Sequence, residues 1–150
     1  MYKRQALGEN TFVKVPVTRE GLKAIKLLAD AGCNVTATAI YTQMQAYLAA
    51  KAGAKYAAPY VNRIDNLGAN GIQAAKDIHD IFRNNGLSTQ VLAASFKNCQ
   101  QVLELAEYGV GAATVSPDVM EAFLKLDAVN AAVDAFRRDF EGLCGEGKTM

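Results

Sequence analysis

The chain has 150 residues, 51% of them hydrophobic and 21% charged, a balance that suits one globular domain with a real core and excludes disordered and fibrous classes. Sixteen basic against fifteen acidic residues give a net charge of +1, which leaves no electrostatic footprint for nucleic acid or an anionic membrane. Three cysteines without CxxC spacing (Cys33, Cys99 and Cys144) and a single histidine, His79, remove the usual zinc and Cys-His arrangements and point to reduced thiols in a cytoplasmic protein.

The N-terminus, Met1-Tyr2-Lys3-Arg4-Gln5-Ala6-Leu7-Gly8, carries basic residues with no apolar stretch behind them, and no long apolar run follows anywhere, so the chain is expected to be neither exported nor membrane-spanning. The first strand is expected over residues 11–16, within Phe12-Val13-Lys14-Val15-Pro16-Val17-Thr18, a β-branched run of the kind buried on both faces of a parallel sheet. An ammonium group in such a run is the most informative feature of the chain. Burial disfavours the charged form and leaves a neutral amine near pH 7, able to form a Schiff base with a carbonyl. The structural alternative is a lysine at a strand end that carries its head to solvent or pairs with a carboxylate.

Thr18 is expected to cap a first helix marked by Ala24, Ile25, Leu27 and Leu28. Further strands over 34–40, 55–61, 89–94 and 111–115 alternate with helices marked by Ala46 to Ala50, by Ile72 to Ile81, and by Val102, Leu103 and Leu105. A glycine turn precedes each later strand, in Ala31-Gly32-Cys33, Ala52-Gly53-Ala54, Asn85-Gly86-Leu87 and Tyr108-Gly109-Val110. This alternation argues for parallel pairing with right-handed crossovers, hence a doubly wound sheet or a (β/α)8 barrel. No Gly-x-Gly-x-x-Gly follows the first strand, which weighs against a dinucleotide fold, and the small residues Thr36, Thr38, Ala58 and Ala93 are expected to face the layered interior of a barrel. Five units do not close a barrel of eight. The expected fold class is therefore α/β, a partial (β/α)8 barrel of about five units forming a single domain over residues 1–150.

Val129, Val133, Phe136 and Phe140 mark a C-terminal amphipathic helix, whose apolar face must be buried either on the chain's own barrel or on another subunit. His79 reads as a partly exposed surface residue, and Tyr41, Met44 and Tyr47 as a packing cluster. Gly68 to Gly71 reads as a turn into a helix without the pattern of a P-loop.

Four segments carry a resemblance: Val13-Lys14-Val15-Pro16-Val17-Thr18, Thr36-Ala37-Thr38-Ala39-Ile40-Tyr41, Ala58-Pro59-Tyr60-Val61-Asn62-Arg63-Ile64-Asp65 and Leu92-Ala93-Ala94-Ser95-Phe96-Lys97. In this order and spacing they resemble the small transaldolase family, most closely its fructose-6-phosphate aldolase-like branch, over nearly the whole chain from about Gly8 onward. The resemblance implies a class I aldolase barrel acting on fructose 6-phosphate or related sugars, with dihydroxyacetone as donor and with neither metal nor organic cofactor. A transaldolase and a catalytically silent oligomerising or phosphosugar-binding fragment are the alternatives.

Carried over by position, Lys14 matches the Schiff-base lysine of the family. Tyr60 matches the general acid/base of the aldolase branch, where more distant transaldolase branches have phenylalanine, and a phenol can exchange a proton as a phenyl ring cannot. Thr38 matches the hydroxyl that helps hold the catalytic water. Arg63 and Ser95 match the positions that hold the substrate phosphate, with Lys97 a nearby source of further positive charge. The resemblance also implies a homo-oligomer, in pentamer rings that pair into decamers through the C-terminal helix. The family starts with three further strand-helix units, so its first-strand aspartate, its third-strand glutamine or glutamate and its Thr-Thr-Asn-Pro motif have no counterpart here. The chain is thus expected to be N-terminally truncated relative to the family, with imine formation surviving better than turnover.

Overall fold

In the computed structural model, which describes Gly8 and residues 10–148, five parallel strands run in the order β1 (Val13–Pro16), β2 (Val35–Ile40), β3 (Tyr56–Pro59), β4 (Gln90–Ala93) and β5 (Ala112–Ala113). Between and after them lie seven helices among the described residues: α1 (Arg19–Asp30), α2 (Gln43–Lys51), α3 (Val61–Asp65), α4 (Gly71–Asn84), α5 (Cys99–Tyr108), α6 (Pro117–Ala122) and α7 (Asp127–Cys144). A doubly wound sheet reverses its strand order at a switch point. Here each strand pairs with the next one in sequence and nothing reverses, which is the order of a (β/α)8 barrel wall. The fold is a partial barrel of this kind.

Local chemistry sets the element ends. The hydroxyl of Thr18 accepts from Gly21 N at 2.9 Å and starts α1, and Asn70 and Asn98 cap α4 and α5 in the same way. Thr42 and Gln45 form a reciprocal capping box at the start of α2. At the turns, Gly32 and Gly109 take φ values of 77° and 96°, a left-handed conformation that ends each helix and releases the chain into the next strand.

The strands place alternate side chains on two faces. Val13, Val15, Val35, Ala37, Ala57, Val91 and Ala93 meet Ile25, Leu28, Ala46, Ala49, Ala75, Ile78 and Phe82 of the helices in the main hydrophobic core. The other face carries Lys14 in register with Thr36, Thr36 in register with Tyr56, and Tyr56 in register with Gln90.

Two expectations change, and an open choice narrows. The first strand is buried on one face only: Val13 and Val15 are 5% and 3% exposed, whereas Lys14 and Pro16 are exposed. The helices cover one side, and the described residues supply no second wall to cover the other. Ala93 does not face the barrel interior. The register that aligns Tyr56 with Gln90 puts residues 91 and 93 on the helix side, leaving Thr36, Thr38 and Ala58 as inward neighbours. Finally, α7 does not pack its apolar face on the chain's own barrel. Val129, Val133 and Phe136 are 51%, 56% and 67% exposed, and α7 has no buried residue.

β2 holds one irregularity with a large effect. Ala37 pairs with Ala57 but Ile40 pairs with Pro59, so β2 uses one more residue than β3 over the same stretch. Ala39 absorbs it at a φ of 56°, a left-handed position for a residue with a Cβ. Strict alternation would put Ile40 beside Thr38 on the inner face. The bulge turns Ile40 into the core, where it is fully buried.

α1 is pressed against the end of β1, since a methyl added at Gly21 would lie 1.9 Å from the Pro16 carbonyl oxygen. Gly21→Ala is accordingly expected to lower the unfolding free energy by about 1–3 kcal/mol, as overpacking does. Urea denaturation checks this, and an unchanged midpoint would show that the first turn of α1 does not abut the strand.

Candidate active site

The C-terminal ends of parallel strands converge on one end of the sheet, and those strand ends with the segments that follow them hold four of the five matched residues. Thr38 lies near the end of β2 and is 8% exposed. Tyr60 follows β3 directly, bridges to Ala94, and is half-buried. The two side chains meet across adjacent strands, with Thr38 Oγ1 and Tyr60 Oη 2.9 Å apart. Either hydroxyl can be the donor, so the pair is able to relay a proton in both directions.

Arg63 stands in α3, exposed, with its guanidinium carbon 4.5 Å from the centre of the Tyr60 ring. This is cation–π geometry, and it fixes the aromatic plane from one side. Tyr41 fixes it from another, meeting Tyr60 edge-on at 5.8 Å with a 77° interplanar angle. The packing cluster expected around Tyr41 therefore divides: Tyr41 buttresses Tyr60, while Met44 is 63% exposed and packs little. Gln45 of the α2 capping box also accepts from Tyr41 N at 2.9 Å, which ties the backbone under that buttress.

Ser95 sits between β4 and α5 at a φ of 64°. A serine there carries strain of roughly 1–2 kcal/mol, of the kind that persists where surrounding contacts over-determine the backbone. Its carbonyl accepts from Asn62 N at 2.9 Å, so Ser95 and Arg63 belong to segments stitched together at the residue next to Arg63. Lys97 is exposed, and its charge adds to the lowering of the Asp118 carboxyl, which is due first to a hydrogen bond from Ser116.

Lys14 is on the same face but earlier along its strand. It aligns with Thr36, and Pro16 aligns with Thr38. With strands about 4.8 Å apart and a rise of about 3.3 Å per residue, the Cα atoms of Lys14 and Thr38 are roughly 8 Å apart, a gap that a four-carbon stem can largely cross. The structure thus joins Thr38, Tyr60 and Arg63 in direct contact, brings Ser95 to the same end through the backbone, and sets Lys14 on the open inner face beside them.

A cleft of about 350 Å³ lies toward the opposite end of the sheet, among His79, Arg83, Ser88 and Gln90, and an apolar groove of about 430 Å³ runs between α5 and α6. His79 is partly exposed and stacks edge-on against Tyr108, whose hydroxyl sits above its usual range, chiefly through its hydrogen bond to Asp80. Among the described residues no group of three or more His, Cys, Asp or Glu side chains could hold a metal ion, and no helix is long and apolar enough to cross a membrane.

Sequence reasoning missed Tyr41 and also a partly buried contact between Asp65 and Gln101. Tyr41 stood in a motif already singled out, and its place directly after the strand that carries Thr38 was the available signal. The Asp65 contact joins side chains 36 positions apart and has no local signature.

A model of the transaldolase/fructose-6-phosphate aldolase family matches residues 2–147. The chain is similar to a probable transaldolase of Hydrogenobaculum sp. (strain Y04AAS1), 39% identical over 135 residues, which is 90% of this chain and 62% of that protein. It is 38% identical over 140 residues to a probable transaldolase of Clostridioides difficile (strain 630), covering 93% of this chain and 65% of the relative. A probable transaldolase of Anaeromyxobacter dehalogenans (strain 2CP-C) is 42% identical over 134 residues, 89% of this chain and 62% of its own length. The chain thus spans a little under two thirds of the length of these curated relatives.

The contact between Thr38 and Tyr60 is open to a double-mutant cycle. Tyr60→Phe keeps the ring between Tyr41 and Arg63 and removes only the hydroxyl, while Thr38→Val removes its partner. A coupling of about 0.5–1.5 kcal/mol in urea unfolding is expected from one hydrogen bond. Strictly additive losses would show that the two hydroxyls do not meet.

Proposed function

Because the chain belongs to the transaldolase/fructose-6-phosphate aldolase family, we propose that it acts as a class I aldolase on fructose 6-phosphate or a related sugar, through an imine on Lys14. The observation that carries this reading is the hydroxyl pair of Thr38 and Tyr60 at 2.9 Å, on the sheet face that also bears Lys14.

In this mechanism Nζ of Lys14 adds to the C2 carbonyl, and loss of water gives a protonated imine. The imine draws the electron pair of the C3–C4 bond as the C4 hydroxyl gives up its proton. Glyceraldehyde 3-phosphate leaves, and an enamine remains on Lys14. Protonation of that enamine at C3 restores the imine, and addition of water frees dihydroxyacetone and the amine. Tyr60 acts as general acid/base through a water held by Thr38, and a rigid ring between Arg63 and Tyr41 keeps its oxygen in place. Arg63 and Ser95 take the substrate phosphate, the guanidinium by charge-assisted contacts and the serine by its hydroxyl.

A second reading, dihydroxyacetone transfer between aldoses, is favoured by the description of the relatives as probable transaldolases. The Tyr60 hydroxyl favours cleavage, because protonating the enamine ends the reaction that a transferase must leave open for the next aldehyde. A third reading, a silent fragment, draws on the open face around Lys14. The exposed stripe of Val129, Val133 and Phe136 supports a homo-oligomer built through α7, and the odd number and spacing of Cys33, Cys99 and Cys144 support a reducing, cytoplasmic setting.

Borohydride reduction with dihydroxyacetone or fructose 6-phosphate, followed by intact mass and peptide mapping, is expected to give one stable adduct on Lys14 that Lys14→Met abolishes. Folded protein without an adduct would leave the silent reading. Release of glyceraldehyde 3-phosphate is then compared with transfer to erythrose 4-phosphate. Tyr60→Phe is expected to slow release by about 10²–10⁴, the usual worth of a general acid/base, and to leave the adduct intact. Sedimentation is expected to give a mass well above the 16.1 kDa of one chain.

A further inference from the structure

We propose that Gln101 and Asp65 form a positioning pair that holds the two phosphate-binding segments at a fixed separation, an inference that rests on the phosphate role given above to Arg63 and Ser95. Gln101 is in the first turn of α5 and is 5% exposed, an unusual burial for a glutamine unless its amide is fully used. It is used at both ends. Its Nε2 donates to Asp65 Oδ2 at 2.7 Å, and its Oε1 accepts from Lys97 N at 2.8 Å. The other carboxylate oxygen of Asp65 accepts from Gly71 N, the first residue of α4, also at 2.7 Å.

Asp65 closes α3, two residues after Arg63, and Lys97 follows Ser95 by two. The pair therefore ties the Arg63 helix to the far side of the Ser95 loop. On the near side, Val61 N and Asn62 N donate to the carbonyls of Ala94 and Ser95, each at 2.9 Å. Ser95 is held from both directions, which is the over-determination that a left-handed serine requires. The junction leaves no slack at α4 either, since a methyl on Gly71 would lie 2.1 Å from the Val61 carbonyl oxygen.

The chemical choice fits the task. Asp65 is a carboxylate two residues from a cation meant for a dianion, and a free carboxylate there would compete for Arg63. Both its oxygens are occupied by neutral N–H donors, so its charge is stabilised without adding a second cation beside the phosphate locus. Neither residue is placed to touch the substrate. Their effect passes through the spacing of Arg63 and Ser95, so they govern affinity for the phosphate end of the sugar and not imine formation at Lys14.

The test exploits the polarity of the pair. Gln101→Glu still accepts from Lys97 N but turns a carboxylate on a carboxylate. Asp65→Asn combined with it restores every bond with the direction of the side-chain contact reversed: the amide oxygen introduced at position 65 accepts from Gly71 N, and the amide nitrogen donates to the carboxylate introduced at position 101. Fructose 6-phosphate affinity is measured by calorimetry on the 150-residue chain, alongside borohydride trapping of dihydroxyacetone, which has no phosphate. The single Gln101→Glu variant is expected to lose about tenfold or more in affinity for the phosphorylated sugar, with an unchanged adduct yield at Lys14, and the double variant to recover to within about threefold. If Gln101→Glu does not fold, Asp65→Asn alone, which opposes two amide donors, carries the comparison with the same expected loss. Unchanged affinity in a folded single variant, or a double variant with native melting and no recovery, overturns the positioning role alone. A parent chain that binds no fructose 6-phosphate overturns the phosphate reading, and the positioning role with it.

Discussion

One extra residue in β2 governs where the side chains of the candidate site point. Up to Ala37 the sheet is a regular parallel ladder, and every odd or even choice made at β1 propagates across β2, β3 and β4 by register alone. At Ala39 the ladder takes up a left-handed residue and resets. Thr38 stays on the inner face, where it meets Tyr60, while Ile40 drops into the core and anchors the strand end. A regular strand would have had to choose between a buried isoleucine and an inward threonine two positions apart. The bulge permits both, at the cost of a strained alanine.

Much of this was legible in the residues and some of it was not, for reasons that can be assigned. The turns were legible because a glycine at the end of an amphipathic run has one favoured conformation, and Gly32, Gly53, Gly86 and Gly109 all adopt it. The cap at Thr18 was legible because its partner is three residues away. Burial of Lys14 was misjudged because a β-branched run reports that a strand sits in a parallel sheet, and cannot report whether both faces of that sheet are covered. Ala93 was misassigned because alternation fixes relative facing within a strand, and only the register with β3 fixes it absolutely. Thr38, Tyr60, Arg63 and Ser95 were named through the family resemblance of their segments, whereas Asp65 and Gln101 were invisible because their partnership is made entirely by tertiary contact.

The two faces of the sheet divide the labour of stability and chemistry. The helix side is dry, aliphatic and closely packed, which gives the strands their fixed positions. The inner side carries hydroxyls, a phenol and an amine on that rigid plate, and the loops above it are cross-tied by backbone amides together with the Gln101 and Asp65 side chains. Reactive groups that must be positioned to tenths of an ångström benefit from such a mount, because little ordering is left to be done on binding.

Pro16 has a consequence for how the sheet meets other chains. Val13 N donates to Asn34 O and Val17 N to Thr38 O, so in β1 the odd-numbered amides face β2 and the even-numbered positions face outward. Proline occupies one of those outward positions, and the next outward amide, Thr18 N, is already engaged by the Pro16 carbonyl. A strand approaching this side finds the donor of Lys14 and then a gap. Amyloid-like growth needs an unbroken row of donors and acceptors, and here the row is cut within a single rung, while β5 on the far side is only two residues long. The backbone itself thus blunts runaway fibre formation at both rims of the described sheet, without recourse to charge.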